Sequence, residues 1–369
     1  MKRVAPIIVI LLLVSMSFLA CGYSSSYYKP PSGLATRVFA SQSISSPTSG
    51  AGLIIINAAN DTLARASGIS AGSSPGLMAI SPERSTLLVF DSGSNGVQVV
   101  NAKTETLTGG VQLAGPTTSM VVPTGSFGYA AVPTALLNGS PPGAIEVMNL
   151  TTGGIEATIS VPNAQTVVAS PNGTQLLVFS SDSDAVTLVS PFSINTGNPV
   201  TTTVPGFDRP VNAVFGSDGT AYILNCGPEC GSASASASVQ VLSLGATPSA
   251  GASVAVDGAT IGWVQGTTLY VAGTATASVS NSSPNNLCTG QTTAAPICGR
   301  LDIVDLGSMT VTSSAIITDG YHDRIDMSNN GQLFIGSRTS PCGALTFPTL
   351  LQVCEPMKSW PLLLISMRS

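Results

Sequence analysis

Two kinds of segment alternate along the chain. The first is a polar turn followed by a short apolar run: SPERSTLLVF (81–90), PTGSFGYAAV (123–132), SPNGTQLLVF (170–179), SDGTAYIL (217–224), VQGTTLYVAG (264–273) and NNGQLFIGS (329–337). The turn position, glycine except for Arg84, falls at 84, 125, 173, 219, 266 and 331. The second kind alternates apolar and polar residues and ends in a polar turn: 52–63, 95–107, 143–155, 184–194, 238–249 and 300–311. Period-2 alternation marks strands with one buried face. Turns such as Asn172-Gly173 and Asp218-Gly219 mark hairpins. Each unit therefore holds about four short strands at a period of roughly 46 residues, the arithmetic of a β-propeller blade.

The expected fold is all-β, a β-propeller of four-stranded blades over 51–337. Five complete units run from 75 to 316, and the half-unit 321–337 lacks an outer hairpin. The N-terminal strands at 52–67 can supply it, so six blades are favoured and seven possible. Such closure leaves no open sheet edge. Residues 338–369 break the rhythm, and an irregular tail is expected there, of the kind a truncated or frameshifted end leaves.

Composition agrees with this pattern. Charged residues are 8% of the 369, and hydrophobic residues are 43%. Gly and Pro, 38 and 25 in number, recur too often for long helix interiors. The net charge of −5 provides no basic footprint, so no nucleic-acid partner is expected. The mean hydropathy of +0.38 is partly due to the N-terminus, where Lys2 and Arg3 precede an almost wholly apolar stretch from Ala5 to Ala20.

That N-terminus resembles a bacterial lipoprotein signal, with Phe18-Leu19-Ala20-Cys21 as the lipobox. The resemblance implies cleavage after residue 20 and a lipid anchor on Cys21. Phe18 departs from the usual Leu. Gly22, rather than Asp, resembles lipoproteins sent to the outer membrane, so a cell-envelope location is expected, periplasmic or extracellular. Residues 21–50 read as the lipidated cysteine and a flexible tether. Six further cysteines fall in local pairs, suggesting disulfides 226–230, 288–298 and 342–354, all in Gly/Ser/Pro-rich loops of an exported protein. The candidates are Cys226, Cys230, Cys288, Cys298, Cys342 and Cys354. Their spacing fits no zinc site.

The repeats themselves resemble the YVTN-type β-propeller family. The best match is SPERSTLLVFDSGSNGVQVVNAKTETL, residues 81–107. Here the turn is Ser-Pro-Glu-Arg where the family has Ser-Pro-Asp-Gly, and the second strand is Val97-Gln98-Val99-Val100-Asn101 with Thr104 after it. The resemblance covers about 52–337. It implies the fold; propellers host binding, scaffolding and catalysis alike.

Aligned on the turn glycine, five inner strands are neutral, and the sixth, Asp323-Arg324-Ile325-Asp326-Met327, follows the single histidine, His322. A strand puts His322, Arg324 and Asp326 in one phase. With Asp323 and with Asp257 of the preceding unit they form the candidate ligand-binding set at the channel mouth. Two readings stay open: a site for an anion, a metal or a polar ligand, or Arg324 pairing with its acidic neighbours to cap the channel. Gly72-Ser73-Ser74-Pro75-Gly76 fits a nucleophile elbow only formally, since the elbow needs a strand-to-helix turn. Asp182-Ser183-Asp184 is too short for a calcium loop and reads as a solvated turn. No catalytic residue, resident metal or cofactor is expected.

The expectation from sequence is a membrane-anchored extracytoplasmic propeller acting as a binding or scaffold module. It would hold an envelope protein, a peptide or a glycan. The alternative is a lactonase-like propeller enzyme using polar residues at the channel mouth.

Overall fold

The computed structural model describes residues 31–41, 52–60, 62–123, 126–137, 139–192, 199–274, 299–317, 321–328, 331–338 and 362–365. At 65–67, 316, 321–323, 337–338 and 362–365 it describes the backbone alone. The chain is almost entirely β. Its strands form consecutive antiparallel sheets. The first sheet holds β1 (Arg37–Ser41), β2 (Leu53–Asn57) and β3 (Thr62–Ile69). The second holds β4 (Pro75–Ile80), β5 (Thr86–Asp91), β6 (Gly96–Asn101) and β7 (Thr106–Gln112). The third holds β8 (Ser119–Val121), β9 (Phe127–Val132), β10 (Ala144–Asn149) and β11 (Gly154–Ser160). The fourth holds β12 (Ala164–Ala169), β13 (Leu176–Ser180), β14 (Ala185–Val189) and β15 (Thr201–Pro205). The fifth holds β16 (Pro210–Phe215), β17 (Ala221–Asn225), β18 (Ala237–Ser243) and β19 (Ser249–Val256). The sixth holds β20 (Ile261–Gln265), β21 (Thr268–Thr274), β22 (Gly299–Asp305) and β23 (Thr310–Ile317). The last holds β24 (Tyr321–Met327), β25 (Leu333–Arg338) and β26 (Leu362–Ile365).

The first strand of each sheet from β4 to β24 lies beside the first strand of the next, so these strands line the inside of a propeller. Apolar clusters fill the space between consecutive sheets. Leu88, Val97, Met120 and Met148 join the second sheet to the third. Phe179, Leu188, Ala213 and Ile223 join the fourth to the fifth. Leu224, Val239, Leu269 and Val304 join the fifth to the sixth.

The expected turn positions govern the hairpins. Arg84, Gly173, Gly219, Gly266 and Gly331 all take left-handed φ, between 54° and 83°. The backbone N–H of each of Arg84, Gly173, Gly219 and Gly331 donates to the carbonyl three residues back. Gly125 lies outside the described residues. Ser81, Ser170 and Ser328 each accept, through Oγ, the N–H that resumes the strand.

Because strands alternate in direction, the connections sort onto two ends. The turns between first and second strands and between third and fourth strands share one end, the turn face. The connections between second and third strands and the crossovers to the next sheet share the other, the crossover face.

Several expected boundaries differ. The closure in which 52–67 completes the last unit is replaced by other pairings: β2 and β3 pair with each other and β2 with β1, while β25 pairs with β26. Seven sheets are present among the described residues where six blades were favoured. The tether expected over 21–50 includes β1, since Leu34 and Phe39 pack against the cluster of Leu53, Ile55 and Leu87. The tail expected to be irregular contributes β26. The inner strand of the sixth sheet begins at Ile261, not just after Asp257, because Gly266-Thr267 make a two-residue turn that shortens the hairpin.

Candidate functional site

The loops of the crossover face carry Asp182, Asp184, Arg209 and Asp257. A cleft of about 270 Å³ opens there between the fourth and fifth sheets. The start of β12 supplies Gln165 and Thr166, the end of β13 supplies Phe179 to Asp182, and the crossover into β16 supplies Arg209. Arg209 and Asp182 both hold left-handed φ, 53° and 56°, a strained choice for residues with side chains.

That geometry is held in place from behind. Cys226 and Cys230 form the expected disulfide across a 3-10 turn, Gly227–Cys230. The backbone N–H of Cys226 donates to Arg209 O (3.0 Å), and that of Gly227 to Asp208 O (3.2 Å). The crossover is thereby tied to the connection from β17, and Cys230 forms part of the cleft wall. Cys288, Cys298, Cys342 and Cys354 lie outside the described residues, as does Cys21.

Electrostatically the cleft is mixed. The Arg209 guanidinium lies 3.7 Å from Asp182 Oδ1 and 3.8 Å from Asp184 Oδ1. Those separations are too long for hydrogen bonds, so both contacts are ion pairs only. Asp182 and Asp184 are exposed, with side-chain accessibilities of 84% and 64%. The pair is the solvated turn expected from sequence, now placed beside an arginine 25 or more residues away. The guanidinium N–H groups can donate to a ligand, while the carboxylates can accept from it.

The residues expected at the channel mouth divide. Asp257 sits in the crossover before β20, and its carboxylate accepts from Arg300 on β22, at 2.7 Å from Nε and also from Nη2. The Asp257 N–H donates to Asp302 Oδ2 at 2.6 Å, and Asp302 also accepts from Ser314. Arg324 and Asp326 are both exposed on one face of β24, opposite Ile325 and Met327, which pack into the core. His322 and Asp323 lie on the first half of β24, and their side chains lie outside the described ones.

Asp302 belongs to a recurring device that the sequence pattern concealed. A polar residue third or fourth along the third strand reaches back to the crossover that begins its own sheet. Glu146 accepts from Ala114 N–H (3.1 Å), and Gln240 donates to Gly206 O (3.2 Å). In sequence these positions are single polar residues in alternating strands. A comparison at that one register position would have found them.

Burial pushes the carboxyl of Glu146 up, against one backbone hydrogen bond, and pushes that of Asp302 up against hydrogen bonds from Ser314 and Asp257. Burial also raises Glu229. A carboxyl raised in the folded state contributes stability that is complete below its unfolded pKa and is lost as pH rises through its folded value. Asp218 and Asp305 are lowered, first by backbone N–H groups of Thr220 and Ser308 and then by their hydroxyls, so their contribution is lost as pH falls. Thermal midpoints should therefore peak within the ordinary carboxylate range, about pH 4, and decline toward neutrality. The variant Glu146→Gln keeps an acceptor for Ala114 N–H and should flatten the decline above the ordinary carboxylate range in a melting series. An unchanged slope would remove Glu146 from the explanation.

No family model matches the sequence, and no curated protein does. Among solved structures the chain is similar to hydrazine synthase of Kuenenia stuttgartiensis (18% identity, TM-score 0.55, covering 72% of this chain and 74% of that one). It is similar to a functionally unknown protein from Desulfotomaculum acetoxidans (15%, 0.56, 78% and 86%). It is also similar to the periplasmic gluconolactonase of Pseudomonas aeruginosa (14%, 0.52, 82% and 92%). At these identities the likeness is one of fold, and that fold is the β-propeller.

Proposed function

We propose that the chain is a lipid-anchored, extracytoplasmic propeller that binds a small polar ligand or one side chain of a polypeptide in the cleft beside Arg209. The observation that carries this reading is the Arg209 guanidinium. It faces a cleft of about 270 Å³ without a hydrogen-bonded carboxylate, and two exposed acids flank it. Such a site suits a partner offering both acceptors and donors, as a glycan or an envelope peptide does. The lipid anchor on Cys21 and the cell-envelope location are part of the same proposal and rest on the N-terminal pattern.

A second reading, lactonase-like hydrolysis, draws on the likeness to the periplasmic gluconolactonase and on Arg324 and Asp326, exposed on one face of β24. The two are separated by one set of measurements on the purified protein. Envelope oligosaccharides and peptides are titrated into wild type and into Arg209→Ala, and gluconolactone hydrolysis is followed in parallel. Loss of a hydrogen bond to a charged group, about 1.5–3 kcal/mol, predicts affinity lowered about 10- to 100-fold in the variant. Equal affinity in both proteins removes the cleft as the site. Turnover of the lactone that Asp326→Asn abolishes moves the assignment to the enzyme.

A further inference from the structure

We infer that the anchored chain stands on its turn face, with the crossover face and its cleft turned away from the bilayer; the inference rests on the Cys21 anchor proposed above. Glu105 is the residue that fixes this orientation. It occupies the turn between β6 and β7 with a left-handed φ of 56°. The equivalent turn between β10 and β11 uses Gly153 (φ 79°), the residue that conformation favours. The turn between β22 and β23 places Met309 there (φ 51°), so side chains occur at this position, and the glutamate adds a carboxylate that needs partners.

What holds it is the N-terminal segment. The Glu105 side chain is 1% exposed and pairs with Arg37 Nε at 3.1 Å. Its two oxygens accept from Ser32 N–H (2.7 Å) and Ser32 Oγ (2.6 Å). Arg37 also donates to Ala102 O in the same turn and lies over the Phe39 ring, 5.8 Å from its centre. Residues 32–37 are therefore clamped to the turn face. From there β1 climbs toward the crossover face, where Ser41 Oγ donates to Gly76 O near the start of β4.

The anchor thus reaches the propeller at the turn face. Ten residues separate Cys21 from Ser32, and the eleven steps between them span at most about 38 Å when fully extended. The two faces are separated by a strand of six residues, about 20 Å. Laying the crossover face on the bilayer would draw those ten residues out along the side of the molecule, at a cost in conformational entropy. Resting on the turn face requires no such ordering.

The test uses the full-length lipidated protein in phosphatidylcholine vesicles carrying acceptor-labelled lipid. A fluorescent amino acid replaces either Lys103 on the turn face or Leu136 on the crossover face, both exposed in wild type. Energy transfer from position 103 should exceed that from 136 by roughly twofold, given the ~20 Å between faces. In Glu105→Gly, which keeps a residue suited to the turn, the difference should shrink, and Ser32→Ala should shrink it in part without altering the propeller. Equal or reversed transfer in wild type, with the protein floating on vesicles, overturns the orientation alone. A difference unchanged in both variants overturns the clamp. A wild-type protein that fails to float, like Cys21→Ser, overturns the anchor and the orientation with it.

Discussion

Replacing Phe179 with alanine is expected to destabilise the protein by about 3–5 kcal/mol, the cost of deleting a fully buried aromatic ring and leaving its cavity. The ring is 1% exposed and sits one residue from the end of β13, where it faces Thr166 on one side and Val186 on the other. It packs with Ala213 and Ile223 of the next sheet, so it belongs to the joint between two sheets and not to one alone. It also forms the floor of the cleft beside Arg209. Collapse around the missing ring would have to move two sheets, each held by its own ladder, so the void should persist. Thermal or urea unfolding should show a midpoint lowered by on the order of 10 °C. Phe179→Leu, which keeps most of the volume, should lose less than about 1.5 kcal/mol. Equal losses in the two variants would place the effect outside packing.

The repeat was legible because its turns obey a local rule. A left-handed residue closes each hairpin, glycine favours that conformation, and alternation then fixes which strand face is buried. Arg84 shows how firmly the rule holds: the pattern placed a turn there without glycine, and the backbone takes the left-handed form regardless. What escaped sequence reading depends on distance along the chain. Nothing in the short stretch RVFAS announces a strand. Its pairing follows from Arg37 and Ser32 meeting a carboxylate about 70 residues later. Arg209 and Asp182 are unremarkable loop charges in the sequence, and they become a site only because two neighbouring sheets bring a crossover beside a turn. Asp257 was expected in the ligand-binding set at the channel mouth, and its pairing with Arg300, 43 residues later, follows from no local pattern.

Gly143→Ala should be nearly as costly as the loss of Phe179, about 3 kcal/mol or more, although it adds only a methyl group. Gly143 precedes β10 with φ of 123°, a backbone region that side chains rarely enter. A Cβ there would lie 2.3 Å from Asn163 N and 2.6 Å from Val161 O, both main-chain atoms of the crossover into β12. Those atoms cannot swing aside as a side chain would. The crossover is fastened at the same place by Val161 N–H donating to Gly143 O (3.2 Å) and Asn163 N–H donating to Pro142 O (2.9 Å). Relieving the clash therefore breaks hydrogen bonds worth about 1 kcal/mol each, on top of about 1–2 kcal/mol for the unfavourable backbone angle. Gly139 provides the comparison. Its φ is also positive, 79°, yet a Cβ there meets nothing within 4 Å. Gly139→Ala should therefore carry the angular cost alone, about 1–2 kcal/mol. If the two alanine variants melt together, close backbone approach is not what position 143 requires. If only Gly143→Ala melts early, the meeting of β10 with the next crossover is where the third and fourth sheets are locked in register.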